Sequence, residues 1–354
     1  MMLLVSAAVL AAAAQVADPV PIPAYVGGRT VVEKSGGLRF GWPGVYFEGR
    51  FRGSAVEVLA ESDTEFMRVT IDGEEKAVLK RSGAVRLEFR GLPAGEHVVR
   101  LEKQTESQTG GGRFFGFRAL DGGSALPAAP RPRQIEFIGD SYTVGYGNTS
   151  PGRQCTSQEV HDRTDTQLAF GPLLAKRLGA DYQVIAYSGF GIARNYNGGS
   201  PAENLPSLYP RLMPDDKGSI LTRVEGWRPQ IIVINLGTND FSTPLRAGER
   251  WRDDAALRAD YRRRYLAFAR ELLAKQPQAR LILMGSDPFF GEVRQVAEAV
   301  NRGGRPRAQV VRFGGLELTG CDWHPSLEDH RRLAASLETV IAAEPKFWSD
   351  GARR

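Results

Sequence analysis

Ser141 stands where an apolar run has to turn: Ile135 to Ile138 reads as a buried strand, and Gly139-Asp140-Ser141-Tyr142 follows at once. A serine held on such a turn can attack a carbonyl when a base lies within hydrogen-bond reach. Four histidines are present, and position separates them. His97 falls among short β-patterned runs, His161 in a polar stretch read as a loop, and His330 inside the pattern of the last helix. His324 lies on a loop just ahead of Pro325 and the helix-capping Ser326, so its ring is offered to a surface. Acyl transfer also needs donors aimed at the developing oxyanion. The Ser141 N–H, the Gly189 N–H within Tyr187-Ser188-Gly189-Phe190-Gly191 and the Asn239 side-chain amide have the right types, each just beyond a strand end. Asp140 reads as an Asx residue that holds the turn, since its side chain points away from its neighbour.

Four blocks thus occur in order: Gly139-Asp140-Ser141, Ser188-Gly189, Gly237-Thr238-Asn239-Asp240 and Cys321-Asp322-Trp323-His324-Pro325. As a set they resemble the SGNH (GDSL-like) hydrolase superfamily, whose blocks carry a Ser, a Gly, an Asn and a His. The resemblance implies Ser141 as nucleophile, His324 as general base, and Ser141, Gly189 and Asn239 as oxyanion donors. The superfamily usually has an Asp three residues before the His, a place held here by Cys321. Asp322 is then a candidate for orienting the imidazole, with a backbone carbonyl or Asp287 as alternatives.

These groups need a scaffold that brings strand ends together. From residue 134 to 347 buried strand runs (Gln134 to Ile138, Tyr182 to Ala186, Ile231 to Leu236, Arg280 to Gly285, Gln309 to Phe313) alternate with helical patterns. Leu257, Tyr261 and Tyr265 recur at helical spacing after Asp253 and Asp254, as do Leu333, Leu337 and Ile341 after Ser326. Such alternation predicts an α/β domain with a parallel sheet flanked by helices, its site at the carboxyl ends of the strands. Residues 25–120 differ. Period-two runs (Val56 and Val58; Met67, Val69 and Ile71; Val85, Leu87 and Phe89) and the turn pair Asp72-Gly73 predict an all-β, jelly-roll-like sandwich without chemistry of its own. The Gly/Pro/Ala-rich stretch 121–133 is read as the linker.

A β-domain ahead of an SGNH domain, the Cys-Asp-Trp-His-Pro-Ser run and the segment Ala186 to Tyr196 look like carbohydrate esterase family 2. That resemblance implies removal of acetyl groups from sugar hydroxyls, often the primary 6-hydroxyl, in xylan, mannan or glucomannan, by a dyad in some members and a triad in others. It implies an acetylated polysaccharide or oligosaccharide as partner. Aromatic residues stand beside three of the blocks: Tyr142 and Tyr146 by Ser141, Phe190 and Tyr196 by Gly189, and Trp323 by His324. About half are expected to fill core, and Trp323, next to His324, is the expected sugar platform. A lipase or thioesterase on the same fold and a non-catalytic glycan-binding protein are the rival readings.

The 354 residues, 42% hydrophobic, suit two domains, and a net charge of +5 spread among acidic residues gives no nucleic-acid footprint. Residues 1–17, apolar and Ala-rich, read as an export signal too short to span a membrane, so a secreted or periplasmic protein is expected. In an oxidising compartment Cys155 and Cys321, one after the serine block and one before His324, are expected to form a disulfide, the alternative being two unrelated buried thiols. No metal-ligand spacing and no nucleotide-binding glycine pattern occurs, so no cofactor and no metal is expected.

Overall fold

A computed structural model describes residues 18–348 except 35, 107, 109, 222–225, 303 and 305. The leader read in residues 1–17 lies outside the described residues. The first half is a sandwich of two antiparallel sheets. One runs Val31–Val32, Leu38–Phe40, Gly112–Ala119, Val56–Ser62, Gly83–Phe89. The other runs Ser124–Leu126, Tyr46–Gly53, Gly95–Lys103, Met67–Ile71, Glu74–Leu79. Alternation decides which faces meet: Val56, Val58 and Ala60 of one sheet and Met67, Val69 and Ile71 of the other are all buried. Between the sheets Phe47 stacks on Phe114 with ring centroids 4.1 Å apart. Val85, Leu87 and Phe89 are only half-buried, because their strand is at the edge. Asp72 and Gly73 turn between strands Met67–Ile71 and Glu74–Leu79 with φ of 55° and 84°, the left-handed pair a two-residue hairpin needs.

Two boundaries differ from the sequence reading. Val20–Ile22 already pairs with Gly112–Ala119, so the sandwich begins before residue 25. Inside the stretch read as linker, Ser124–Leu126 pairs with Tyr46–Gly53. Both are three-residue strands, too short to show a period, and the first carries Pro21, a residue confined to strand edges.

The second half holds a five-stranded, all-parallel sheet: β1 (Gln134–Gly139), β2 (Asp181–Ala186), β3 (Ile231–Asn235), β4 (Arg280–Gly285) and β5 (Ala308–Arg312), in spatial order β2-β1-β3-β4-β5. β1, β2 and β3 are buried at every residue, as expected for a sheet covered on both faces. Helix Asp254–Lys275 starts at the Asp253 cap and buries Leu257, Tyr261 and Tyr265. Helix Leu327–Ala343 starts in a Ser326/Asp329 capping box and buries Leu333, Leu337 and Ile341. Strand order reverses at β1, whose neighbours β2 and β3 lead away on opposite sides. That reversal opens a crevice at the carboxyl ends of these three strands.

The two halves are joined by buried charge. Glu136, in the middle of β1, meets Arg29 of the sandwich at 3.2 Å, each side chain 1% exposed. Arg100 binds Glu48 at 2.9 Å and the Tyr182 hydroxyl at 2.7 Å, and Arg131 bridges Glu48 and Asp181.

Candidate active site

The crevice is built by three short turns. Gly139 ends β1, and a Cβ there would meet Thr143 Oγ1 at 1.9 Å, so only glycine lets the chain turn this tightly. Asp140 caps the four-residue helix Ser141–Val144 by accepting the Tyr142 N–H, the local role read for it. Ser141 is thereby set at the head of the turn. Burial pushes the Asp140 carboxyl up to about 7, against the Tyr142 N–H that favours its charged form.

His324 Nε2 lies 2.8 Å from Ser141 Oγ. Its Nδ1 faces the carbonyl oxygens of Cys321 at 3.0 Å and Asp322 at 3.1 Å. Carbonyls only accept, so the network assigns the proton to Nδ1 and leaves the Nε2 lone pair toward the serine hydroxyl. Tyr142 and Tyr146 flank the ring at 5.5 and 4.3 Å between centroids. Burial holds the imidazole below the ordinary histidine range, and the two carbonyls oppose that shift.

Asp322 therefore orients the imidazole through its main chain, not its carboxylate. Its Oδ2 accepts the Tyr146 hydroxyl at 3.1 Å instead. The reason is backbone: Asp322 and Trp323 both have positive φ, 50° and 62°, which turns two successive carbonyls inward and the carboxylate away. Asp287 is bound to Arg312 at 2.6 Å on an exposed surface. Of the alternatives open in the sequence, the carbonyl is the one the geometry provides.

Consecutive left-handed residues cost about 1–3 kcal/mol each and persist only where their surroundings hold them. Here segment 147–155 does so. Asp322 N–H donates to Arg153 O at 2.7 Å and Arg153 Nε to Leu318 O at 2.8 Å. Cys155 and Cys321 are disulfide-bonded with Cα atoms 5.5 Å apart, the pairing expected from the sequence. Replacing both cysteines by serine is expected to lower stability by about 2–5 kcal/mol, read as a lower denaturant midpoint. Thiol labelling of the unreduced, denatured protein should find no free thiol. Two titratable thiols would exclude the bridge.

Ser141, Gly189 and Asn239, the residues read as oxyanion donors, line the same cleft as His324. Gly189 has φ 84°, and no acceptor among the described residues takes its N–H or that of Ser141. Asn239 follows Gly237, where a Cβ would meet the Phe289 ring at 2.5 Å. The Asn239 amide donates to Phe190 O at 2.9 Å and, weakly, to Asp140 Oδ2 at 3.3 Å, leaving its second N–H loosely held. Neighbouring Asp240 is fully buried and accepts the N–H groups of Ile192, Ala193 and Arg194 at 2.7–3.0 Å. It fixes the segment after Gly189, a role that its place in the Gly-Thr-Asn-Asp run signalled and the sequence reading passed over.

The cleft above these groups has a volume of about 740 Å³ and is lined by polar and aromatic groups, among them Tyr196, Ser242 and Trp323. Trp323 is 63% exposed, with one ring face covered by the Arg153 guanidinium at 3.9 Å. Tyr196 is 56% exposed. Phe190 instead packs edge-on against Tyr187 beneath the turn. Gln108 also lines the cleft, and it comes from the sandwich. The β-domain, read as carrying no chemistry, supplies part of the wall; no residue pattern in its 104–111 loop announced this. His161, read in a loop, lies in helix Ser157–Arg163, and His330 is buried, accepting the Phe170 N–H.

A hydroxyl poised on an imidazole at the carboxyl ends of a parallel sheet is the arrangement of a carboxylic ester hydrolase of the GDSL-like class, and residues 137–339 match the GDSL-like lipase/acylhydrolase family. Residues 26–130 match the carbohydrate esterase 2 N-terminal family. The chain is 44% identical over 338 residues, 93% of each sequence, to an acetylxylan esterase / glucomannan deacetylase of Cellvibrio japonicus. A solved structure described as a family two carbohydrate esterase from Clostridium thermocellum in complex with cellohexaose superposes with a TM-score of 0.80. It is 28% identical and covers 92% of this chain and 100% of its own. The chain belongs to carbohydrate esterase family 2.

Proposed function

We propose that the protein removes O-acetyl groups from acetylated hemicellulose, xylan or glucomannan, through an acetyl-enzyme on Ser141, with a preference for 6-O-acetyl positions. With residues 1–17 acting as an export signal, it would do so outside the cytoplasm. The observation that carries the mechanism is the 2.8 Å contact between His324 Nε2 and Ser141 Oγ. His324 takes the hydroxyl proton as Oγ attacks the acetyl carbonyl. The oxyanion forms against the N–H groups of Ser141 and Gly189 and the Asn239 amide. Collapse expels the sugar alkoxide, which recovers the proton from His324. Water, activated by the same ring, then releases acetate and frees Ser141.

The carbohydrate reading is supported by an open cleft of mixed polar and aromatic lining with two exposed rings, Tyr196 and Trp323, on which a pyranose can stack. A long acyl chain would instead need an apolar tunnel. The name of the Cellvibrio japonicus relative points to the same substrates. The test is acetate release from acetylated xylan and glucomannan beside hydrolysis of p-nitrophenyl esters of rising chain length. Turnover should be greatest for acetate, and Trp323→Ala should raise KM for the sugar esters by about tenfold, the equivalent of one lost stacking contact, with little change for p-nitrophenyl acetate. An optimum at octanoate or longer would make the protein a lipase.

A further inference from the structure

The Gly189 N–H belongs to a turn whose geometry is not self-determined. Phe190 N–H donates to Tyr187 O at 3.2 Å, closing a four-residue turn with Ser188 and Gly189 at its centre. The Gly189 φ of 84° makes it type II. Types I and II differ by turning over the central peptide, a change of about 150–170° in the two dihedrals that flank it. Here that peptide is Ser188–Gly189, so its flip state decides which way the Gly189 N–H points.

The catalytic domain holds the far side of the turn, through Tyr196 N–H to Gly189 O at 2.8 Å and Asn239 Nδ2 to Phe190 O at 2.9 Å. The near side is held by the other domain. Glu106, in the sandwich loop between strands Gly95–Lys103 and Gly112–Ala119, accepts the Ser188 N–H at 2.7 Å and the Ser188 hydroxyl at 2.5 Å. Gln108 Nε2 donates to Ser188 O, the carbonyl of the peptide in question, at 3.3 Å. The stem of this loop is fixed by buried groups. Thr105 Oγ1 donates to Glu65 at 2.6 Å and accepts the Phe66 N–H at 2.9 Å, and Lys103 pairs with Glu65 at 3.1 Å.

We propose that Glu106 and Gln108 are positioning residues for the oxyanion donor: Glu106 anchors Ser188, from which the Ser188–Gly189 peptide springs, and Gln108 holds that peptide's carbonyl, so that the β-sandwich turns the Gly189 N–H toward the crevice at Ser141. The inference rests on the acyl-transfer reading above. It gives the N-terminal domain a part in catalysis through hydrogen bonds to a single turn.

The experiment compares Glu106→Ala, Glu106→Gln and Gln108→Ala with p-nitrophenyl acetate, after titration of active sites. Alanine at 106 removes both anchors, so kcat should fall about 10²-fold, the effect of losing one oxyanion donor, with KM within about threefold. Glutamine can still accept the Ser188 N–H and donate to its hydroxyl, so Glu106→Gln should recover to within about fivefold of the unmodified enzyme. Gln108→Ala, at an exposed position, should lower kcat by about three- to tenfold and decides the matter if Glu106→Ala fails to fold. Unchanged kcat in Gln108→Ala in that case, unchanged kcat in Glu106→Ala, a loss confined to KM, or equal losses in the Ala and Gln variants at 106 would each overturn the proposal. Activity surviving in Ser141→Ala would overturn the underlying mechanism instead.

Discussion

Ser141→Ala is expected to lower kcat on p-nitrophenyl acetate by about 10⁵–10⁶-fold, the cost of deleting a serine nucleophile that works as a unit with its base. Ser141 Oγ lies 2.8 Å from His324 Nε2, and no acceptor among the described residues takes the N–H of the same residue. Alanine keeps that N–H and the cap provided by Asp140, so the fold should survive and the loss should reflect chemistry. Thermal melting of the variant beside the parent checks this. Turnover within tenfold of the parent would mean that another group attacks the ester.

His324→Ala should cost a comparable factor, about 10⁵-fold, because among the described residues the imidazole is the base within hydrogen-bond reach of the hydroxyl. Asp322→Asn should cost far less, about threefold or under. The imidazole is oriented by the Cys321 and Asp322 carbonyls, which the substitution leaves in place, while the carboxylate only accepts from Tyr146. A loss near 10⁴-fold in Asp322→Asn, the size seen when a triad acid is neutralised, would show that the side chain orients the ring after all. The same geometry sets the pH dependence. The base must be neutral, and burial holds its pKa below the ordinary 6.5. Activity is therefore lost as pH falls through that lowered value, so the acid limb of kcat/KM should have its midpoint below 6.5. An acid limb with its midpoint above 6.5 contradicts the burial of this ring.

Much of this was legible in the chain because the chemistry sits at strand ends. The hydrophobic runs before Gly139, Tyr187 and Leu236 mark those ends, and parallel pairing then brings Ser141, Gly189 and Asn239 together whatever the loops do. His324 was legible because a proline and a capping serine follow it. The disulfide followed from two cysteines flanking two blocks already assigned to one site. Other features depend on contacts that leave no local signature. The orientation of the imidazole turns on two positive φ values at Asp322 and Trp323, non-glycine residues whose types do not announce them. Glu106 and Gln108 lie in a loop with no pattern, and only the docking of the sandwich brings them to Ser188. The strands Val20–Ile22 and Ser124–Leu126 are too short for any period to register.

The Arg29–Glu136 pair has a bearing on how this architecture can be taken apart. Glu136 lies in the strand at the heart of the catalytic sheet, yet its cation comes from the other end of the chain. A hydrolase domain excised at the domain junction would keep the Tyr209 hydroxyl on this carboxylate but lose its arginine, and breaking a buried pair costs about 3–5 kcal/mol in a class of molecules whose entire margin is only about 5–15 kcal/mol. The two halves are thus not interchangeable modules. A chimera that grafts this catalytic half onto another β-domain must bring an arginine to the same depth, or replace the glutamate, before any question of substrate choice arises. Recombination within such a lineage would be expected to move both halves together as one heritable block.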